Sequence, residues 1–255
     1  MKLYFHVTGH GPALMILHGL FGSGDNWYTL SNFFASHFRV YAIDQRNHGR
    51  SPHSDVFDYN VMADDLNNLM IHEGITSACL LGHSMGGKTA MTFALAHPDK
   101  VDRLVVVDIG PKAYPPKHDR IFQALFALDL KKYKTRSELD AALAEHIAEY
   151  PVRQLLLKNV SREQDGTFAW KIDVRSIHRN YDKVNEEISS PTSFSRPVLF
   201  VKGERSSYIL DEDVPSIKRI FTRARILVIP GAGHWVHAEA PGAFGESVME
   251  FLTSP

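Results

Sequence analysis

Gly82-His83-Ser84-Met85-Gly86 sets a hydroxyl between two glycines in the spacing G-x-S-x-G. A serine hydroxyl is a poor nucleophile at neutral pH. To attack a carbonyl it needs a base within hydrogen-bond reach, an acid behind that base, and donors for the oxyanion that forms. Glycine and serine are common in loops, so the pentapeptide means little without its flanks. Here the apolar run Ala78-Cys79-Leu80-Leu81 precedes it. Gly87 to Ala96 follows as a helical pattern that stops at His97-Pro98. This is the strand–turn–helix setting of a nucleophile elbow. The turn leaves no room for bulky flanking side chains, and the helix start aims backbone N–H groups at the reaction centre.

The chain carries 14 histidines. Position singles out His234, which follows the last apolar run on the glycine-rich loop Pro230-Gly231-Ala232-Gly233. A base after the final strand fits a Ser…acid…His order. His237, three residues on, is the rival. The backbone N–H groups of Leu20 and Met85 are the candidate oxyanion donors. Leu20 lies in His18-Gly19-Leu20-Phe21-Gly22, where the glycines let backbone approach a ligand. Phe21 and Trp235 flank the two loops and are the candidate substrate contacts. Lys88 stands four residues after Ser84, a spacing at which lysine can activate serine, although His234 makes that unnecessary. His6 and His10 are four apart, but Gly9 and a strand-like context deny them a shared helix face, so no metal site is expected.

The elements that must hold these residues alternate. Ala13–Leu17, Val40–Ile43, Ala78–Leu81 and Leu104–Val107 read as strands, the second and fourth running into Asp44 and Asp108. Trp27 to Phe34, Tyr59 to Glu73 and Gly87 to Ala96 read as helices between them. Continuous β-branched runs interleaved with helices indicate a parallel sheet covered on both faces. The rhythm then breaks, and the next strand, Pro197–Val201, lies almost ninety residues further on. A parallel crossover needs only about a dozen. The intervening stretch predicts helices at 119–130, 137–149, 151–157 and 174–184, with Ser137 as an N-cap and Pro151 at a first helical position. It is expected to form an inserted helical cap, residues 114–190, on a core of residues 1–113 and 191–255. The sheet resumes at 197–201 and 225–229, and a helix from about Ala240 to Leu252 closes the chain. Aromatic and apolar cap residues (Phe122, Leu125, Phe126, Leu156, Trp170, Tyr181) supply the cap's core and some of the wall over the site.

With 255 residues, 44% of them hydrophobic, the chain suits one core with an insertion. Its 28 basic and 29 acidic residues form no block that would attract nucleic acid or an anionic membrane. No apolar run approaches the roughly 20 residues of a membrane span. The start, Met1-Lys2-Leu3-Tyr4-Phe5-His6, lacks the features of a secretory signal. Cys79 is the single cysteine, so no internal disulfide is possible and a reducing, cytoplasmic setting is expected.

His18-Gly19, Asp44-Gln45-Arg46-Asn47-His48-Gly49-Arg50-Ser51, Gly82 to Gly87 and Gly231-Ala232-Gly233-His234-Trp235 together resemble the α/β-hydrolase superfamily, in its order and over nearly the whole chain. More narrowly, residues 18–23, Arg46 to Gly49, 82–88 and 233–239 resemble the bacterial YbfF-type esterases. The resemblance implies a mostly parallel eight-stranded sheet, a helical cap, and hydrolysis of acyl esters or thioesters without a cofactor. It also implies an architectural role for Asp44, Arg46 and His48. In most of the superfamily the acid follows the strand that reopens the sheet, as Gly-x-x-Asp. Here that strand leads to Gly203-Glu204-Arg205-Ser206, with serine in the aspartate's place. Glu204, Asp211 and Asp213 lie near but out of step. Some members carry the acid at the end of the strand beside the nucleophile strand, and the YbfF type pairs that position with a serine at the other. By that resemblance Asp108 is the acid and Ser206 an auxiliary hydrogen-bond partner. The expected function is a serine esterase or thioesterase acting on small to medium acyl esters, as a monomer or weak dimer. The alternatives are a cofactor-free haloperoxidase or C–C bond hydrolase on the same triad, or a non-catalytic ligand receptor. Dehalogenase and epoxide hydrolase chemistry call for aspartate where Ser84 stands.

Overall fold

The computed structural model describes residues 1–254. Five strands come first: β1 (Tyr4–Thr8), β2 (Ala13–Leu17), β3 (Arg39–Asp44), β4 (Ala78–His83) and β5 (Val101–Val107). An insertion holds the short hairpin β6 (Val160–Arg162) and β7 (Phe168–Trp170), and the sheet resumes with β8 (Val198–Gly203) and β9 (Ala224–Ile229). The lateral order is β1-β3-β2-β4-β5-β8-β9, with β1 alone antiparallel. The expected count of eight strands is thus one too high among the described residues. Gly9 and Gly11, at φ of 80° and 105°, turn the chain straight from β1 into β2 and leave no residues for another strand between them.

Strand side chains alternate between two cores, as a period of two requires. Met15, Leu17, Leu80, Leu104 and Val106 face α2 (Tyr59–His72) and α3 (Met85–Ala96). Leu14, Ile16, Leu81, Val105 and Val107 face α1 (Tyr28–Phe34) and the C-terminal helix. All six residues of β4 are buried, as expected of a strand with helices on both sides. Cys79 is buried with them and unpaired.

Between β5 and β8 the chain leaves the sheet. It forms α4 (Asp119–Ala127), α5 (Arg136–Ala144), α6 (Tyr150–Leu157), the hairpin, α7 (Val174–Arg179) and α8 (Tyr181–Asn185). Three details depart from expectation. The N-cap of α5 is Thr135, not Ser137. Its side chain accepts from the Glu138 amide while the Glu138 carboxylate reaches back, a complete capping box. The helix expected over 174–184 breaks at Asn180, whose side-chain amide donates 2.8 Å to the Ser176 carbonyl and 2.9 Å to that of Asp55. The hairpin was hidden by its short strands. Its signal is Asp165-Gly166, with Gly166 at φ 83° in the turn. Apolar residues of the insertion, among them Phe122, Leu139, Leu156 and Ile177, join the core of the α2–α3 face. After β8 come α9 (Val214–Ile220), then β9, α10 (Val236–Glu239) and α11 (Pro241–Thr253). No helix among the described residues is long and apolar enough to cross a membrane.

Candidate active site

Ser84 sits between β4 and α3 at φ 52°, ψ −118°, a conformation that side chains rarely adopt. The flanking glycines answer to crowding: a Cβ on Gly82 would lie 2.2 Å from the Gly86 carbonyl oxygen, and one on Gly86 would lie 2.3 Å from that of Leu17. The Ser84 amide donates to the Val107 carbonyl at 3.0 Å, which locks the elbow to the end of β5.

From Ser84 a chain of hydrogen bonds runs across four strand ends. The Ser84 hydroxyl lies 3.2 Å from Nε2 of His234, and Nδ1–H of His234 donates to Oδ2 of Asp108 at 2.7 Å. The same Oδ2 accepts from the Ser206 hydroxyl, and Oδ1 accepts from the Gly203 amide at 3.1 Å. Asp108 is fully buried, at φ 50°, with its own amide bonded to the Val201 carbonyl at 2.8 Å. Three donors therefore satisfy a carboxylate that water does not reach. The Tyr208 ring stacks on His234 at 3.9 Å between centroids, fixing the imidazole plane. This arrangement can carry a proton from the serine to the imidazole and stabilise the resulting cation.

None of the rival acids reaches His234. Glu204 accepts from the Gly231 amide at 2.8 Å, Asp213 pairs with Lys112 at 2.6 Å, and Asp211 lies on the surface near Lys202. His237 is buried and stacks on Trp27 at 4.2 Å, and its Nδ1 has no partner among the described residues. Burial pushes its pKa down to about 3, so it stays neutral.

The Leu20 and Met85 amides donate to no backbone acceptor among the described residues. The loop that carries Leu20 is held from three sides. The Phe21 amide donates to Nε2 of His48 at 3.2 Å, Asn159 donates to the Phe21 carbonyl at 2.7 Å, and Nε2 of His18 accepts from the Gln45 amide at 3.0 Å. Phe21 itself is at φ 60°. Asp44 accepts from the Gly24 and Arg50 amides, and Arg46 pairs with Asp65 at 2.6 Å. Asp44, Arg46 and His48 thus tie loops together behind the elbow. Sequence reasoning had not singled out Asn159 or Tyr208, which come from segments without a motif.

Two cavities share Leu20 in their walls, and Ser84 lines the smaller one. One is a chamber of about 30 Å³ that includes Ser84, Met85, Lys88, Tyr114, His118 and Tyr208. The other is an open groove of about 670 Å³ along α6, lined by Leu20, His83, Leu155, Trp235 and Glu239 among others. Trp235 lines the groove. Phe21 lines neither cavity: its ring is buried against Phe122 and His118, so only its backbone serves the site. Of the cap residues singled out in the sequence, Tyr181 reaches the chamber, whereas Phe122, Leu125 and Leu156 are core and Phe126 is exposed. Lys88 is buried, and its ammonium donates to the Glu186 carbonyl and faces the Tyr59 and Tyr114 rings. Burial lowers its pKa to about 8. No cluster that could hold a metal ion occurs among the described residues.

Comparison with known proteins adds to this geometry. Residues 12–241 match the family model described as alpha/beta hydrolase fold. The sn-1-specific diacylglycerol lipase ABHD11 of Danio rerio is 39% identical over 97% of this chain and 80% of its own. Esterase YbfF of Escherichia coli is 35% identical over 95% and 94% of the two chains. A solved structure, that of a marine microorganism esterase, superposes with a TM-score of 0.96 at 45% identity, covering 98% of this chain and 99% of that one.

Proposed function

The chain belongs to the α/β-hydrolase family and is a carboxylic ester hydrolase, and on that footing we propose that it cleaves small to medium acyl esters and thioesters through an acyl-enzyme on Ser84. Ser84 Oγ attacks the carbonyl carbon as its proton passes to Nε2 of His234. The oxyanion is held by the Leu20 and Met85 amides, each worth about 2.7–4 kcal/mol to the transition state. Asp108 holds the Nδ1–H tautomer and stabilises the imidazolium, and Ser206 helps to fix the carboxylate. His234 then gives its proton to the leaving oxygen or sulfur, and the ester bond breaks. Water, losing a proton to His234, attacks the acyl-enzyme. The proton returns to Ser84 as the acid departs. Residues 114–190 act as a cap over this centre.

The observation that carries this reading is the unbroken path Ser84–His234–Asp108 at 3.2 and 2.7 Å. It also speaks against the receptor alternative, since a disarmed scaffold has no reason to keep a nucleophile, base and buried acid in register. A fluorophosphonate probe should label the wild type at Ser84, and Ser84→Ala should abolish both labelling and p-nitrophenyl acetate turnover. Wild-type turnover in that variant would defeat the reading.

A further inference from the structure

The chamber at Ser84 and the groove that shares Leu20 with it differ in size by more than an order of magnitude, about 30 Å³ against about 670 Å³. We infer that the small chamber takes the acyl group and the large groove takes the alcohol or thiol, so that the enzyme selects short acyl groups on long, apolar leaving groups. This assignment rests on the Ser84 acyl-enzyme reading.

The direction follows from where the proton must go. The leaving oxygen receives its proton from Nε2 of His234, so the leaving group lies on the side of the His234 loop. That side is the groove, whose wall is the chain immediately after His234: Trp235, His237, Ala238 and Glu239. His83, also in its wall, donates through Nε2 to the His234 carbonyl at 3.0 Å, tying the groove to the base. The nucleophile and both oxyanion residues line the chamber, which places the carbonyl carbon there with its substituent pointing inward.

The chamber is small for a structural reason. A cavity needs roughly 10–15 Å³ to hold one water, so this one has room for only a few heavy atoms. Its aromatic walls are pinned. Tyr59 donates to the Val184 carbonyl at 2.6 Å, Tyr114 donates to the Tyr208 carbonyl at 2.6 Å, and Tyr181 is bonded to His118 at 2.5 Å. Rings held at their hydroxyls cannot swing aside for extra methylenes, and overpacking is costly. The groove is open to solvent, and Leu155, Pro151 and Trp235 give it apolar walls for a chain.

Two ester series read this out on the intact enzyme. With ethanol as the alcohol throughout, kcat/KM should fall at least about tenfold from acetyl to hexanoyl. With acetyl as the acyl group throughout, it should rise about tenfold from ethyl to decyl. Val184→Ala, which widens the chamber, should raise the hexanoyl-to-acetyl ratio about tenfold. Leu155→Trp, which fills the groove, should lower the decyl-to-ethyl ratio about tenfold. The reverse preference, equal tolerance in both series, or ratios unmoved by both variants would overturn the inference. In any of those cases, intact Ser84 labelling shows that the acyl-enzyme reading stands and the chamber assignment alone has failed.

Discussion

Asp108, fully buried at the end of β5, accepts hydrogen bonds from His234, Ser206 and the Gly203 amide. Ser84 and His234 are legible because glycines and strand ends mark them. Asp108 carries no such mark, since a carboxylate after an apolar run is ordinary. The sequence points to it only through the resemblance and the serine at 206; the structure sets β5 between β4 and β8, with Oδ2 facing His234 and Ser206. Asp108→Asn should lower kcat by roughly 10⁴ by favouring the wrong imidazole tautomer. Asparagine tolerates the left-handed backbone at φ 50°, so circular dichroism should show a folded variant. Glu204→Gln or Asp211→Asn should leave kcat within a factor of two or so, and a large loss in either would move the acid away from Asp108. Ser206→Ala removes one donor to a buried charge. A hydrogen bond of that kind is worth about 1.5–3 kcal/mol, so kcat should drop roughly ten- to a hundredfold.

At the level of elements, the loop that carries Leu20 depends on the insertion. Asn159, between α6 and β6, donates to the Phe21 carbonyl 138 residues earlier in the chain. Without that donor a buried carbonyl is left unpaired beside Leu20, a loss of about 1–3 kcal/mol. Asn159→Ala should therefore lower the melting temperature by several degrees and also reduce kcat. A change in melting temperature with kcat intact would mean that the loop is held by His48 and His18 alone. The parallel strands and long helices of the core were readable from periodicity because each buries a continuous apolar stripe. The helices of the insertion were readable in the same way, but its hairpin and the break at Asn180 were not, because those elements are short. Five-residue α8 and the three-residue strands β6 and β7 hold their shape through tertiary bonds such as Asn180 to Asp55, which leave no periodic trace.

The whole molecule keeps several imidazoles neutral by burying them. Burial pushes His18 down to about 4 and His48 and His237 to about 3, and it holds His83 well below its ordinary value. In each case the unfolded chain binds a proton near pH 6.5 that the folded chain refuses. Stability is therefore complete above about pH 6.5 and declines as pH falls toward 4, each group contributing up to about 1.4 kcal/mol per pH unit. Urea midpoints measured from pH 7.5 to 4.5 should trace this decline. His48→Gln, which can still accept from the Phe21 amide, should flatten it, and an unchanged slope would mean that other groups govern acid unfolding. The placement of the acid has a consequence on a longer timescale. Because Asp108 rises from β5 and borrows only an amide and a hydroxyl from residues 203–206, the segment from Ser207 to Glu212 carries no member of the proton path. Sequence drift on either side of Tyr208, whose ring must stay on His234, can reshape the wall without dislodging Asp108, which makes the other five positions a natural place to diversify when breeding new selectivities.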